Sequence, residues 1–144
     1  MSSLTKYTKL CMNYSVVGTA ISKKLDSSLS LHGISFSEFM ILSYLDKAPG
    51  KAMKRIDLAE QIGLSASGIT RMVLPMEKIG LVKKETNQRD ARVRLVKLST
   101  AGKRILGEAS SSLNVGTKRL LAPLDGEQVL AMQNALADLG GNVE

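Results

Sequence analysis

Apolar residues at Leu4, Tyr7, Leu10, Cys11, Tyr14, Val17, Ala20, Ile21, Leu25, Leu29 and Leu31 recur in steps of three or four through a stretch without proline. That spacing predicts one long helix over residues 3–31, with more apolar face than one small core requires. After a turn at His32 and Gly33, Ser35 followed by Glu38 has the form of a capping box. It opens a helix with Phe36, Phe39, Met40, Leu42, Ser43 and Leu45 that ends near Lys47, before Pro49 and Gly50 break the chain. A short extended piece at 52–54 leads into a helix over 55–62, with Ile56, Leu58, Ala59 and Ile62 turned inward and Gly63 as its stop. Ser65 then caps a helix over 66–79. Its residues Ile69, Met72, Val73, Met76 and Ile79 fall in one arc at about 100° per residue. The opposite arc holds Ser67, Arg71, Leu74 and Lys78.

Gly80 ends that helix, and two runs with strand character follow, 81–84 and 93–98, joined by the polar loop 85–92 as a hairpin with a long basic tip. Ser99 caps a further helix reaching about Leu121, where Pro123 interrupts; its apolar members are Ile105, Leu106, Leu113, Val115, Leu120 and Leu121. Asp125 with Gln128 forms a second capping-box pattern for a last helix bearing Val129, Leu130, Met132, Ala135, Leu136 and Leu139, closed by Gly140 and Gly141. No internal repeat and no low-complexity linker interrupts the 144 residues.

Composition narrows the class. With 44% apolar and 23% charged residues, the length suits one domain with a substantial core. A single cysteine and a single histidine provide neither an internal disulfide nor a Cys/His zinc site, so no metal or cofactor is expected. Apolar runs fall far short of the roughly 18 residues a membrane helix needs, and no leader pattern is present, so a complete cytoplasmic chain without membrane contact is expected. No phosphate loop and no Ser/His/Asp grouping points to catalysis, and the chain is not expected to be an enzyme. The formal charge is +7, and it is concentrated: between Lys51 and Lys97 eleven basic residues face five acidic ones, whereas the flanks together are nearly neutral. A basic middle favours a polyanionic partner over a solvated lysine face only if spacing supports it.

Spacing does. A short helix, a turn ending in a capping serine, a second helix with a polar outer arc and a basic hairpin make a winged helix-turn-helix. The N-terminal amides and short hydroxyls of a recognition helix meet phosphates, while its outward side chains reach base edges. Ser65, Ser67, Gly68, Thr70 and Arg71 occupy that position; Arg71 suits bidentate donation to guanine, Leu74 a thymine methyl, and Lys78 a phosphate. The hairpin adds Lys83, Lys84 and Arg89 to the candidate DNA-binding set.

These residues resemble the MarR (multiple antibiotic resistance regulator) family of bacterial dimeric transcription factors over essentially the whole chain. Leu58-Ala59-Glu60-Gln61-Ile62-Gly63-Leu64-Ser65, Ile69-Thr70-Arg71 and Met76-Glu77-Lys78-Ile79-Gly80-Leu81-Val82 are similar to its helix-turn-helix. Asp90-Ala91-Arg92, Leu98-Ser99 and Gly102 occupy the frame of its wing. The resemblance implies that Arg92 enters the minor groove with Asp90 orienting it, Ala91 being a departure that removes one phosphate contact. Pro75 is a second departure; a kink or local distortion is expected there. Gly68 reads equally as close approach to DNA or as drift.

The expected fold is therefore mainly α with a small β-hairpin wing, dimerisation helices at about 3–32 and 99–140 flanking a winged helix-turn-helix at about 35–98. A homodimer burying the surplus apolar faces would set two recognition helices about 34–36 Å apart, matching a double-stranded operator with inverted repeats. The resemblance implies a repressor released by a small-molecule effector, aromatic or other, bound between the dimerisation helices and the DNA-binding lobe. Two alternatives stand beside it. One is a thiol-based oxidative-stress regulator with Cys11 as candidate redox sensor, since Cys11 lies 24 residues before Ser35 as in that branch of the family. Leu25 and Phe36 replace that branch's assisting tyrosines, however, and a buried structural thiol is the plainer expectation. The other is an architectural or protein-interaction module. His32 is expected simply to end a helix.

Overall fold

The computed structural model describes residues 2–144. Six helices and a small sheet follow in order: α1 Lys6–Leu29, α2 Phe36–Lys47, β1 Ala52–Lys54, α3 Arg55–Ile62, α4 Ala66–Lys78, β2 Val82–Thr86, β3 Arg94–Leu98, α5 Thr100–Leu120 and α6 Gly126–Asp138. The helices begin where short polar side chains can satisfy free backbone amides. Thr5 accepts from Thr8 N, so α1 starts at Lys6 and not at residue 3. Ser35 and Glu38 close the expected capping box on α2, and Asp125 and Gln128 close the one on α6. A 3-10 turn, Ser30–His32, follows α1 and ends at Gly33, and a second, Pro49–Lys51, leads into β1.

The core is one cluster built from the C-terminal end of α1 (Leu25, Leu29), the inward faces of α2 (Ile41, Leu42, Leu45), α3 (Leu58, Ala59) and α4 (Ile69, Val73, Met76), the sheet, and α5 (Leu106, Ala109, Leu113). The sheet corrects the simple hairpin: β1 pairs antiparallel with β3, giving the order β1-β3-β2. Register places Val82 opposite Leu98, Lys84 opposite Val96 and Thr86 opposite Arg94. Val82, Val96 and Leu98 therefore share the face that closes the core, with Lys84 beside them.

Three expected inward residues point out. Ile56 lies just outside the arc of Leu58, Ala59 and Ile62, about 110° from its centre at about 100° per residue, and Val115 lies nearly opposite Leu106, Ala109 and Leu113; both are exposed. Ile79 is exposed because it is the cap residue of α4, beyond the last core contact at Met76. Ile41, passed over in the sequence, is wholly buried.

Where α5 begins, the chain closes tightly on itself. The Ser99 hydroxyl donates to the Gly80 carbonyl at 2.6 Å and accepts from Gly102 N at 2.9 Å. A Cβ on Gly102 would lie 2.1 Å from the Leu81 carbonyl oxygen, so only glycine permits this approach. At the other end, His32 Nε2 lies 2.7 Å from Ser112 Oγ, joining the turn after α1 to the middle of α5, as suits a helix-end residue. The three serines of α5 stay helical, Ser110 returning its hydroxyl to the Leu106 carbonyl at 2.7 Å.

Two faces have nothing against them in this subunit. Residues 6–17 of α1 are exposed, including Tyr7, Leu10, Met12, Tyr14, Val16 and Val17, and α6 buries none of its side chains. No helix among the described residues is long and apolar enough to cross a membrane.

Candidate nucleic-acid interface

The helix-turn-helix is assembled by its exits and caps. Gly63, left-handed at φ 81°, closes α3 with its amide on the Ala59 carbonyl, and Leu64 N bonds the same carbonyl, both at 2.9 Å. Two residues on, Ser65 caps α4 by accepting from Gly68 N at 3.0 Å. Its oxygen also lies 3.2 Å from Ser67 Oγ. A Cβ on Gly68 would press to 3.1 Å on that capping hydroxyl, so the glycine keeps room for the cap. The amides of Ala66 and Ser67 have no acceptor within the helix, and with the positive end of the helix dipole they form an anion-seeking terminus.

From that terminus one stripe runs along α4. Ser67, Arg71, Leu74 and Lys78 are exposed, while Ile69, Val73 and Met76 on the other side are completely buried. Thr70 is half-buried at the edge of the stripe. The helix continues through Pro75 to Lys78. Pro75 is exposed, so its ring displaces no packed neighbour, although the Arg71 carbonyl loses its amide partner.

Ion pairing sorts the cations of the basic middle. Half-buried Glu77 holds Arg55 at 3.3 Å and Lys84 at 3.8 Å, tying α3, α4 and β2 together. Lys97 pairs with Glu85 at 3.1 Å across the sheet, and Lys51 with Asp46 at 3.1 Å. Among the described residues, Arg71, Lys78, Lys83 and Arg89 have no acidic group within 4.0 Å. Lys84 thus differs from Lys83: it sits on the core-facing side of the hairpin and is drawn to Glu77.

The wing tip carries its own scaffold. Asn87 Oδ1 accepts from Arg89 N at 2.8 Å, and Asn87 N bonds the Val93 carbonyl at 3.0 Å. Asp90 Oδ1 then accepts from Arg92 N at 3.0 Å and from Arg92 Nε at 3.2 Å, with Nη2 3.4 Å from Oδ2. These bonds hold the Asp90 carboxyl below its ordinary pKa, with a smaller contribution from the charge of Lys54. The Arg92 side chain remains 91% exposed, so it is aimed without being consumed. Asn87 was legible only as an Asn in a polar loop, and Glu77 as one more helix charge; neither stood out in the sequence.

Cys11 stands apart from this surface. It is exposed on α1, where a buried thiol was the plainer expectation, because its part of α1 has no neighbour within the subunit. Leu25 is buried and Phe36 half-buried, so the positions expected of assisting tyrosines carry only apolar groups.

Comparisons with known proteins agree with this geometry. The model of the MarR family matches residues 34–93. The HTH-type transcriptional regulator PapX of Escherichia coli is 23% identical over 108 residues, which is 72% of this chain and 66% of PapX, just under two thirds of that protein's length. A mutant MarR from E. coli complexed with operator DNA superposes with a TM-score of 0.85 at 22% identity, over 96% of this chain and 99% of that one. The PcaV transcriptional regulator from Streptomyces coelicolor, in complex with its natural ligand, gives 0.82 at 19% identity over the whole of both chains. Residues 34–93 thus resemble the MarR family, and the chain as a whole shares the fold of these regulators.

Proposed function

We propose that the protein is a dimeric, sequence-specific DNA-binding transcriptional regulator, a cytoplasmic repressor released by a small-molecule effector. One observation carries the DNA reading: the stripe Ser67, Arg71, Leu74, Lys78 and the aimed Arg92 project from one lobe, where Glu77 is engaged by Arg55 and Lys84 and Asp90 by Arg92. In this reading α4 enters the major groove. Ser65, Ser67 and Gly68 bring the helix terminus to a phosphate, Thr70 flanks it, Arg71 reads a guanine, Leu74 meets a methyl group and Lys78 returns to the backbone. The wing lies along the neighbouring minor groove, with Asp90 presenting Arg92 and with Lys83 and Arg89 neutralising phosphates. Lys84 acts less directly, through its link to Glu77.

The dimer rests on the uncovered apolar faces of α1 and α6, and effector release on the fold shared with a regulator seen with its natural ligand. Selection of bound duplexes from random DNA, repeated with aromatic acids and with hydroperoxide, tests the whole reading. An inverted repeat released by an aromatic acid is the expected outcome. Recovery of unrelated sequences would favour an architectural module. Release by oxidant that disappears in Cys11→Ser would favour the thiol sensor, whose support is the exposure of Cys11.

A further inference from the structure

The segment after α6 turns back onto the DNA-binding lobe, and no part of the DNA or dimer reading uses it. Gly140, at φ 114°, and Gly141, whose amide bonds the Leu136 carbonyl at 2.8 Å, stop α6 and reverse the chain. A Cβ on Gly141 would lie 2.9 Å from that carbonyl oxygen, so the reversal depends on glycine. Asn142 is thereby carried to the edge of α2 and α3. The Tyr44 hydroxyl donates to Asn142 Oδ1, and Asn142 Nδ2 donates to the Gln61 carbonyl at 3.0 Å. Lys47 Nζ donates to the Glu144 carbonyl at 3.4 Å. Among the described residues, these are the side-chain hydrogen bonds that join the segment after α6 to the rest of the subunit, and all land on the lobe that carries α4.

We propose that Asn142 is a latch fastening the turn after α6 to the α2–α3 edge, so that the DNA-binding lobe takes its position from α6. The inference rests on the reading of α6 as a dimer element and of the lobe as DNA-binding. Its chemistry is specific to an amide, which accepts from a hydroxyl and donates to a carbonyl at once. Both anchors are firm: Tyr44 packs its ring against the core, and Gln61 belongs to the helix that leads into the turn before α4. Burial raises the pKa of the Tyr44 hydroxyl, which keeps it a donor throughout the neutral range. The latch is also releasable. Asn142 is exposed, and Tyr44, Lys47 and Gln61 line an open groove of about 470 Å³, so hydrogen bonds rather than packing hold the segment. In a dimer, latched lobes fix the distance between the two recognition helices, and unlatched lobes accept a range of distances.

Two measurements on the full chain test this. In ¹⁵N spectra without DNA, the Asn142 side-chain amide should exchange with water at least tenfold more slowly than a free asparagine amide. Tyr44→Phe, which removes one of the two bonds and keeps the ring, should raise that rate toward the free value. A free rate in the unmodified protein would overturn the latch. With the selected operator and duplexes whose half-sites are one or two base pairs closer or farther apart, the unmodified protein should discriminate at least tenfold. Asn142→Ala and Tyr44→Phe should cut this below threefold while remaining dimeric. Undiminished discrimination in both variants would also overturn the latch. A protein that prefers no duplex would instead refute the DNA reading, and the exchange rates would then decide the latch alone.

Discussion

A missing methyl group sets the junction between the wing and α5. Gly102 has the Leu81 carbonyl oxygen 2.1 Å and Leu98 Cδ1 3.0 Å from where a Cβ would stand. Since a backbone carbonyl must move, Gly102→Ala is expected to destabilise the fold by about 1–3 kcal/mol in urea unfolding. Gly107, on the same helix with open space around it, is the matched control: Gly107→Ala should stabilise by up to about 1 kcal/mol. The residues proposed to face DNA divide in the same way by what surrounds them. Arg71→Ala should cost about 1–3 kcal/mol on the operator and relax base preference. Lys78→Ala should weaken all duplexes alike and lower the salt slope by about one, as read by titration at several salt concentrations. At the wing, the Asp90 pKa is lowered, so the ordering of Arg92 is fully present above the ordinary carboxylate range and is lost as pH falls through Asp90's lower folded value. Arg92 Nε–H resonances should therefore hold constant from pH 8 to 5 and lose their dispersion in Asp90→Asn. Charge type and helical spacing made the exposed position of Arg71 and Lys78 on the outer arc of α4 readable from the sequence. The jobs of Gly68, Asn87 and Glu77 were not, because each depends on a neighbour that only the fold supplies.

Elements were legible where a cap and a stop both sit in the sequence. Ser35 with Glu38, Ser65, Ser99, and Asp125 with Gln128 each start a helix within the hydrogen-bond geometry that their side chains impose. Ala52–Lys54 was legible as an extended piece, but its partner was not: it pairs with β3, more than forty residues away, which no local pattern announces. Pro75 tests how far tertiary packing overrides local preference. Ile69, Val73 and Met76 are wholly buried on both sides of the proline, and the helix persists although proline in a helix interior costs about 3 kcal/mol. Pro75→Ala returns an amide to the Arg71 carbonyl and disturbs no packed neighbour. It should raise stability by about 1–3 kcal/mol in thermal or urea unfolding; an unchanged midpoint would mean that the helix already satisfies that carbonyl another way.

At the scale of the molecule, the distribution of apolar surface is unequal. The lobe around α2–α4 and the sheet closes its own core, while the first half of α1 and the whole of α6 present Tyr7, Leu10, Tyr14, Val17, Leu130 and Met132 to solvent. A stable soluble chain rarely leaves such faces bare, and two copies joined by a two-fold axis would cover them. Periodicity alone showed that these helices had apolar residues to spare; which of them the subunit itself buries came only from the fold. The central claim, that two subunits read one duplex, is tested most directly by analytical ultracentrifugation of the full chain with its selected operator and with a scrambled duplex of equal length near 0.15 M salt. The account predicts two chains per operator and an affinity at least 10³-fold above that for the scrambled duplex. One chain per duplex, or equal affinity for both sequences, would contradict it.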